Sequence, residues 1–85
     1  MKNLEELRKE IDEIDSELVM LFERRMDVVR EVGAYKRAHR LAVYDEKRVE
    51  KVLEKVTSKL RDGSHALALE KVYRALMDVS KEAQR

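Results

Sequence analysis

Residues 3–37, NLEELRKEIDEIDSELVMLFERRMDVVREVGAYKR, decide the fold. Asn3-Leu4-Glu5-Glu6 fits a capping box, in which the Asn3 side chain accepts from the first turn and Glu6 reaches back toward the Asn3 amide. From Leu7 an apolar seam runs at alternating spacings of four and three: Leu7, Ile11, Ile14, Leu18, Leu21, then position 25, then Val28, Val32 and Tyr35. Position 25 is arginine. No Pro interrupts the segment, and Gly33 is its only poor helix former, costing about 1 kcal/mol relative to Ala. The pattern predicts one helix from the Asn3 cap to about Arg37.

Such a helix is a rod of about 50 Å, at roughly 1.5 Å per residue. A compact chain of 85 residues has a radius of gyration of only about 12 Å. The rod therefore overhangs its own domain and carries an apolar stripe that must be covered. A second copy packed along it with two-fold symmetry is the simplest cover.

Outside the rod, His39 to Tyr44 breaks the seam and holds no helix signal. Asp45 then caps a second helix, with Val49, Val52, Leu53, Val56 and Leu60 on one face, expected to end near Arg61. Asp62-Gly63-Ser64 supplies a turn, Gly63 suiting a left-handed residue and Ser64 the next N-cap. The third helix presents Leu69, Val72, Tyr73, Leu76 and Met77, and steps of three and four carry that face on to Ser80 and Gln84. The expectation is an all-α fold of three helices, with residues 1–85 as a single domain, free of internal repeats and low-complexity linkers.

Composition agrees: 44% of residues are hydrophobic and 44% charged, with two Gly and no Pro. The 19 basic and 18 acidic side chains give a net charge of +1 and form no basic block, so neither nucleic acid nor a membrane is an expected partner. Cys is absent, removing disulfides and thiol nucleophiles, and the first residues carry no apolar stretch resembling a signal peptide, so a cytoplasmic location is the default. His39 and His65 lack helical ligand spacing, and no metal is expected.

Functional residues stand out where periodicity asks for burial and the sequence supplies charge, because an unpaired buried cation costs several kcal/mol. Arg25 is the clearest case; Glu23, Asp27 or a partner carboxylate would neutralise it structurally, and an anionic ligand would do so functionally. Lys36 lies almost three whole turns after Arg25, on nearly the same face and about 16 Å away; alone it also reads as a snorkelling surface lysine. Arg8 is about 25 Å from Arg25 along the rod and roughly 100° around it. It either remains solvated or, in an antiparallel pair, reaches the other chain's pocket. Arg48 borders the second helix's apolar face, with a rim salt bridge as its plain alternative. Ser80 and Gln84 mark either a fraying last turn or the continuation of the core face.

If the helices bundle, four cations, a hydroxyl and an amide border one small space suited to a compact dicarboxylate. No Ser-His-Asp arrangement, glycine-rich phosphate loop or carboxylate dyad accompanies them. Donors without general bases fit charge stabilisation and conformational restraint, or passive anion binding.

Together, Leu7-Arg8-Lys9-Glu10-Ile11-Asp12-Glu13-Ile14-Asp15, Leu21-Phe22-Glu23-Arg24-Arg25, Val32-Gly33-Ala34-Tyr35-Lys36, Asp45-Glu46-Lys47-Arg48 and Ser80-Lys81-Glu82-Ala83-Gln84 resemble the all-α chorismate mutases. The resemblance spans nearly the whole chain and is greatest to the domain found alone or fused to prephenate dehydratase. It implies an intertwined, domain-swapped homodimer that rearranges chorismate to prephenate without a cofactor or covalent intermediate. It also implies that Arg8 of the partner, Arg25 and Arg48 hold the substrate carboxylates, that Ser80 assists, and that Lys36 and Gln84 donate to the ether oxygen. One position departs: the family commonly has Glu directly after the second helix's arginine, meeting the ring hydroxyl, and here that residue is Val49. The backbone near Asp45 is then left to meet that hydroxyl, and weakened binding or turnover is the expectation. An isochorismate-pyruvate lyase on the same fold, and a helical dimerisation or regulatory module without catalysis, are the alternatives.

Overall fold

A computed structural model describes residues 1–43 and 45–85, and the described residues form three α-helices and no strand. Helix α1 spans Leu4–Ala38, α2 Glu46–Thr57 and α3 Ala66–Gln84, the last preceded by a 3-10 turn over Gly63–His65. The molecule measures 55 × 24 × 16 Å with a radius of gyration of 16.1 Å. Its long dimension is that of α1, as the uninterrupted 35-residue helix requires.

Asn3 caps α1, its side-chain oxygen accepting from the Glu6 amide at 2.8 Å. The helix runs one residue beyond Arg37 and ends in a Schellman motif that the sequence hid. Arg40 takes the left-handed conformation (φ 54°), Arg40 N–H donates to Arg37 O at 3.3 Å, and Leu41 N–H donates to Lys36 O at 2.8 Å. Glycine is usual there; arginine costs about 1–2 kcal/mol in backbone strain. The turn brings the Val43 carbonyl back beside Lys36. The break expected over His39–Tyr44 extends, at Tyr44, outside the described residues.

Three expectations about the connection from α2 to α3 are corrected. Helix α2 stops at Thr57, short of Arg61. The Thr57 hydroxyl donates to Leu53 O (2.8 Å) and the Ser58 hydroxyl to Lys55 O (2.7 Å), while the following amides fold into tighter i→i+3 bonds. Gly63 is not left-handed. Ser64 caps nothing: Asp62 caps the 3-10 turn that leads into α3, its carboxylate accepting from Ser64 N–H at 2.9 Å, and that bond holds the Asp62 pKa below its ordinary value.

Helix α3 packs against both α1 and α2. It covers the α1 face that carries Arg25, Met26, Val29, Gly33 and Lys36, all of them buried or half-buried. The seam itself stays open: Ile11, Ile14, Leu18, Leu21, Val28 and Tyr35 are each more than half exposed. Val72, expected in the core face of α3, is likewise exposed, because that helix turns Leu69, Tyr73, Leu76 and Met77 inward instead. Leu53 is the one hydrophobic side chain among the described residues that is buried rather than half-buried or exposed. The chain exposes 7481 Å², against about 5,300 Å² for a compact monomer of this mass.

Candidate active site

Arg25, at the seam position where an apolar residue is expected, turns toward α3. Its guanidinium donates to the Ser80 hydroxyl and lies 6.0 Å from the centre of the Tyr73 ring. Ser80 is buried, and its hydroxyl donates a hydrogen bond to the Leu76 carbonyl at 2.7 Å. Among the described residues no carboxylate forms an ion pair with Arg25, neither Glu23 nor Asp27. Its charge is held by a neutral hydroxyl and an aromatic face, so it remains available to an anion.

Three turns along the same helix, the Lys36 ammonium donates to the Val43 carbonyl at 3.0 Å and to Gln84 Oε1 at 2.7 Å. Gln84 is held a second time through its backbone carbonyl, which accepts from Arg37 at 2.8 Å. The last turn of α3 is thus tied to α1 rather than frayed. Because Lys36 occupies the amide oxygen, the orientation of the Gln84 amide is set by that bond. Its Nε2 donors make no bond among the described residues.

Asp45 caps α2, accepting from Lys47 N–H (3.0 Å) and Arg48 N–H (3.4 Å), and so delivers Arg48 and Val49 on the first turn. These elements enclose a cleft of about 350 Å³ whose walls include Arg25, Lys36, Asp45, Arg48, Val49, Ser80 and Gln84. Seven of the eight residues singled out in the sequence therefore meet in one space. Arg8 does not: it lies toward the far end of α1, outside the cleft of its own chain.

Sequence reasoning missed three further polar wall residues, Arg74, Asp78 and Lys81. The signal was present, since Arg74, Met77, Lys81 and Gln84 follow one another at three- and four-residue steps along α3. Arg74 also reaches across to Glu50 of α2 at 4.0 Å. Five cations face two carboxylates around the cleft, with Val29, Val32, Val43, Val49, Val52 and Met77 between them. A cationic cleft with low-dielectric walls concentrates small anions. Its capacity of about 350 Å³ sits at the small end of ligand sites.

The sequence model of chorismate mutase type II matches residues 7–85, a span containing every one of these groups. The chain belongs to the chorismate mutase type II family. The chain is 46% identical over 44 residues to the T-protein of Haemophilus influenzae, a stretch that is 52% of this chain and 12% of that protein. It is 36% identical over 56 residues to the bifunctional chorismate mutase/prephenate dehydratase of Aquifex aeolicus, covering 66% of this chain and 16% of the other. The chain thus spans less than a fifth of the length of these two relatives. Among solved structures it resembles a conserved hypothetical protein from Pyrococcus furiosus, with a TM-score of 0.81 and 30% identity over 100% of this chain and 99% of that one. No helix among the described residues is long and apolar enough to cross a membrane.

Proposed function

We propose that the chain is a chorismate mutase, converting chorismate to prephenate in an intertwined homodimer whose two clefts each receive Arg8 from the partner. The observation that carries this reading is the paired Lys36 ammonium and Gln84 amide, held together on one wall of a cleft rich in arginine. In a [3,3] rearrangement the ether C–O bond breaks as the new C–C bond forms, and no proton is transferred. Negative charge grows on the departing ether oxygen. Donors aimed there bind the transition state more strongly than the ground state. Lys36 spends two of its three N–H groups on Val43 and Gln84, leaving one, and Gln84 keeps both Nε2 donors.

Arg25, Arg48 and the partner's Arg8 would grip the two carboxylates, with Ser80 fixing the Arg25 fork. Holding both ends of the substrate freezes it in its reactive conformer, and good alignment contributes several kcal/mol. Planar guanidinium suits this task better than ammonium. Val49 presents an apolar wall where a carboxylate would meet the ring hydroxyl, leaving Asp45 and its neighbouring backbone for that contact.

The dimer is supported by the open seam. Relative to a compact monomer the chain carries an excess of about 2,200 Å², the amount each partner gives up in an obligate dimer. Antiparallel pairing of α1 would carry Arg8 toward the opposite chain's Arg25.

Incubation with chorismate and, separately, with isochorismate tests the reading. Prephenate from chorismate supports it. Pyruvate from isochorismate without prephenate assigns the chain to the lyases, and binding of either compound without product assigns it to the non-catalytic modules.

A further inference from the structure

Gly33 lies within α1 with helical neighbours on both sides and no positive φ, so backbone conformation does not call for glycine there. Space does. A Cβ built on Gly33 would stand 2.8 Å from Gln84 Cα, 2.9 Å from Gln84 O and 3.3 Å from Gln84 C. These are backbone atoms, which cannot rotate aside as the tip of a side chain would. Relief requires the last turn of α3 to withdraw from α1 by roughly 0.5–1 Å, given ordinary carbon–carbon contacts of about 3.5–4.0 Å.

The residue that would be displaced is the one that Lys36 and Arg37 hold, at 2.7 and 2.8 Å. Gly33, Lys36 and Arg37 are one helical turn of α1, so the missing side chain and the two donors act on a single target. We propose that Gly33 is a positioning residue: its bare backbone lets α3 seat directly on α1, and that seat sets the Gln84 amide beside the Lys36 ammonium. This inference rests on the proposed mutase activity for its consequence, though not for its geometry. Ser80 lies one helical turn before Gln84 on α3, Arg25 about two turns before Gly33 on α1, and Arg48 stands on α2, so carboxylate binding is largely spared.

The test is Gly33→Ala, alone and combined with Gln84→Ala, in the full chain. A misplacement near 1 Å costs on the order of 10²-fold in rate, so kcat for chorismate should fall about 10- to 100-fold while KM changes less than about threefold. In the Gln84→Ala background the same substitution should cost less than about threefold, because the group it mispositions is gone. Equal losses in both backgrounds, or a loss confined to KM, overturn the inference.

The Gln84 side-chain amide resonances provide a readout independent of turnover. They should shift in Gly33→Ala, and unchanged resonances overturn the positioning role. If the wild type fails to consume chorismate, the activity reading falls while these resonances still decide the role of Gly33. Should Gly33→Ala not fold, the substitution is repeated in a chain ending at Ala83, which lacks the clashing atoms: there it should leave the melting temperature of the truncated chain unchanged, and a loss as large as in the full chain refutes the contact.

Discussion

Refolding Arg8→Ala and Arg25→Ala chains together from denaturant should restore activity that neither possesses alone. Helix α1 is continuous from Leu4 to Ala38, so Arg8 and Arg25 of one chain are separated by about 25 Å along it, too far for both to grip one small molecule. Each single variant removes a charge-assisted contact to a carboxylate. At about 2–3 kcal/mol per contact, each should lose roughly 30- to 150-fold in kcat/KM. Random pairing makes half of the dimers mixed. In a mixed dimer one cleft takes Arg25 from the Arg8→Ala chain and Arg8 from the Arg25→Ala chain, so it is complete, while the other lacks both. One good cleft in half of the dimers amounts to about a quarter of wild-type activity. Chorismate consumption, measured at equal total chain concentration, reads this directly. Activity that stays at the average of the two variants would refute trans donation of Arg8, and sedimentation showing a folded monomer would remove its basis.

Gln84→Glu should make the reaction acid-dependent. Glutamate donates only when protonated, and the Lys36 ammonium beside that position favours the ionised form, holding the pKa below the ordinary value of about 4.3; activity should rise as pH falls toward 4, and a pH-independent profile would count against donation from this position. Val49→Glu should raise kcat/KM by supplying a carboxylate for the ring hydroxyl, and a neutral or harmful result removes that account of the position. Asp62→Ala should lower the melting temperature at neutral pH. Because the folded-state pKa of Asp62 is depressed by its bond to the Ser64 amide, its contribution is present above the unfolded value near 3.8 and is lost as pH falls through the folded value. The gap between wild type and variant should therefore close in acid, and a gap that persists at the lowest pH contradicts the assignment.

Local signals were the legible part of this fold. The long seam, interrupted only at Arg25, announced α1, and Asn3 and Asp45 announced the starts of α1 and α2, because caps and periodicity are written within a few residues of where they act. Endings were harder. Arg40 closes α1 in a conformation that glycine normally marks, and α2 stops early because the Thr57 and Ser58 hydroxyls compete for its last carbonyls.

In the cleft, charge at Arg25 and Lys36 stood out against the apolar pattern, whereas their partners did not. Arg25 found the hydroxyl of Ser80, 55 residues away, rather than the nearby carboxylates. Only the packing of α3 on α1 brings those groups together. Gly33 read as a helix defect for the same reason: a helical glycine has a reason only once the neighbouring backbone is in place. Arg74, Asp78 and Lys81 were overlooked because charged residues on a surface helix follow the ordinary amphipathic pattern. The open seam says most about assembly, since a chain with Leu53 as its one buried hydrophobic side chain among the described residues has little core of its own.

The most direct test of the mutase mechanism is the loss of chorismate absorbance with wild type and Lys36→Ala, each shown by circular dichroism to be equally helical. Removing one donor to a developing oxyanion costs about 10²–10³ in kcat, so the account predicts rapid loss with wild type and a fall of that size in the variant, with prephenate as the product. Equal rates in the two proteins would contradict it.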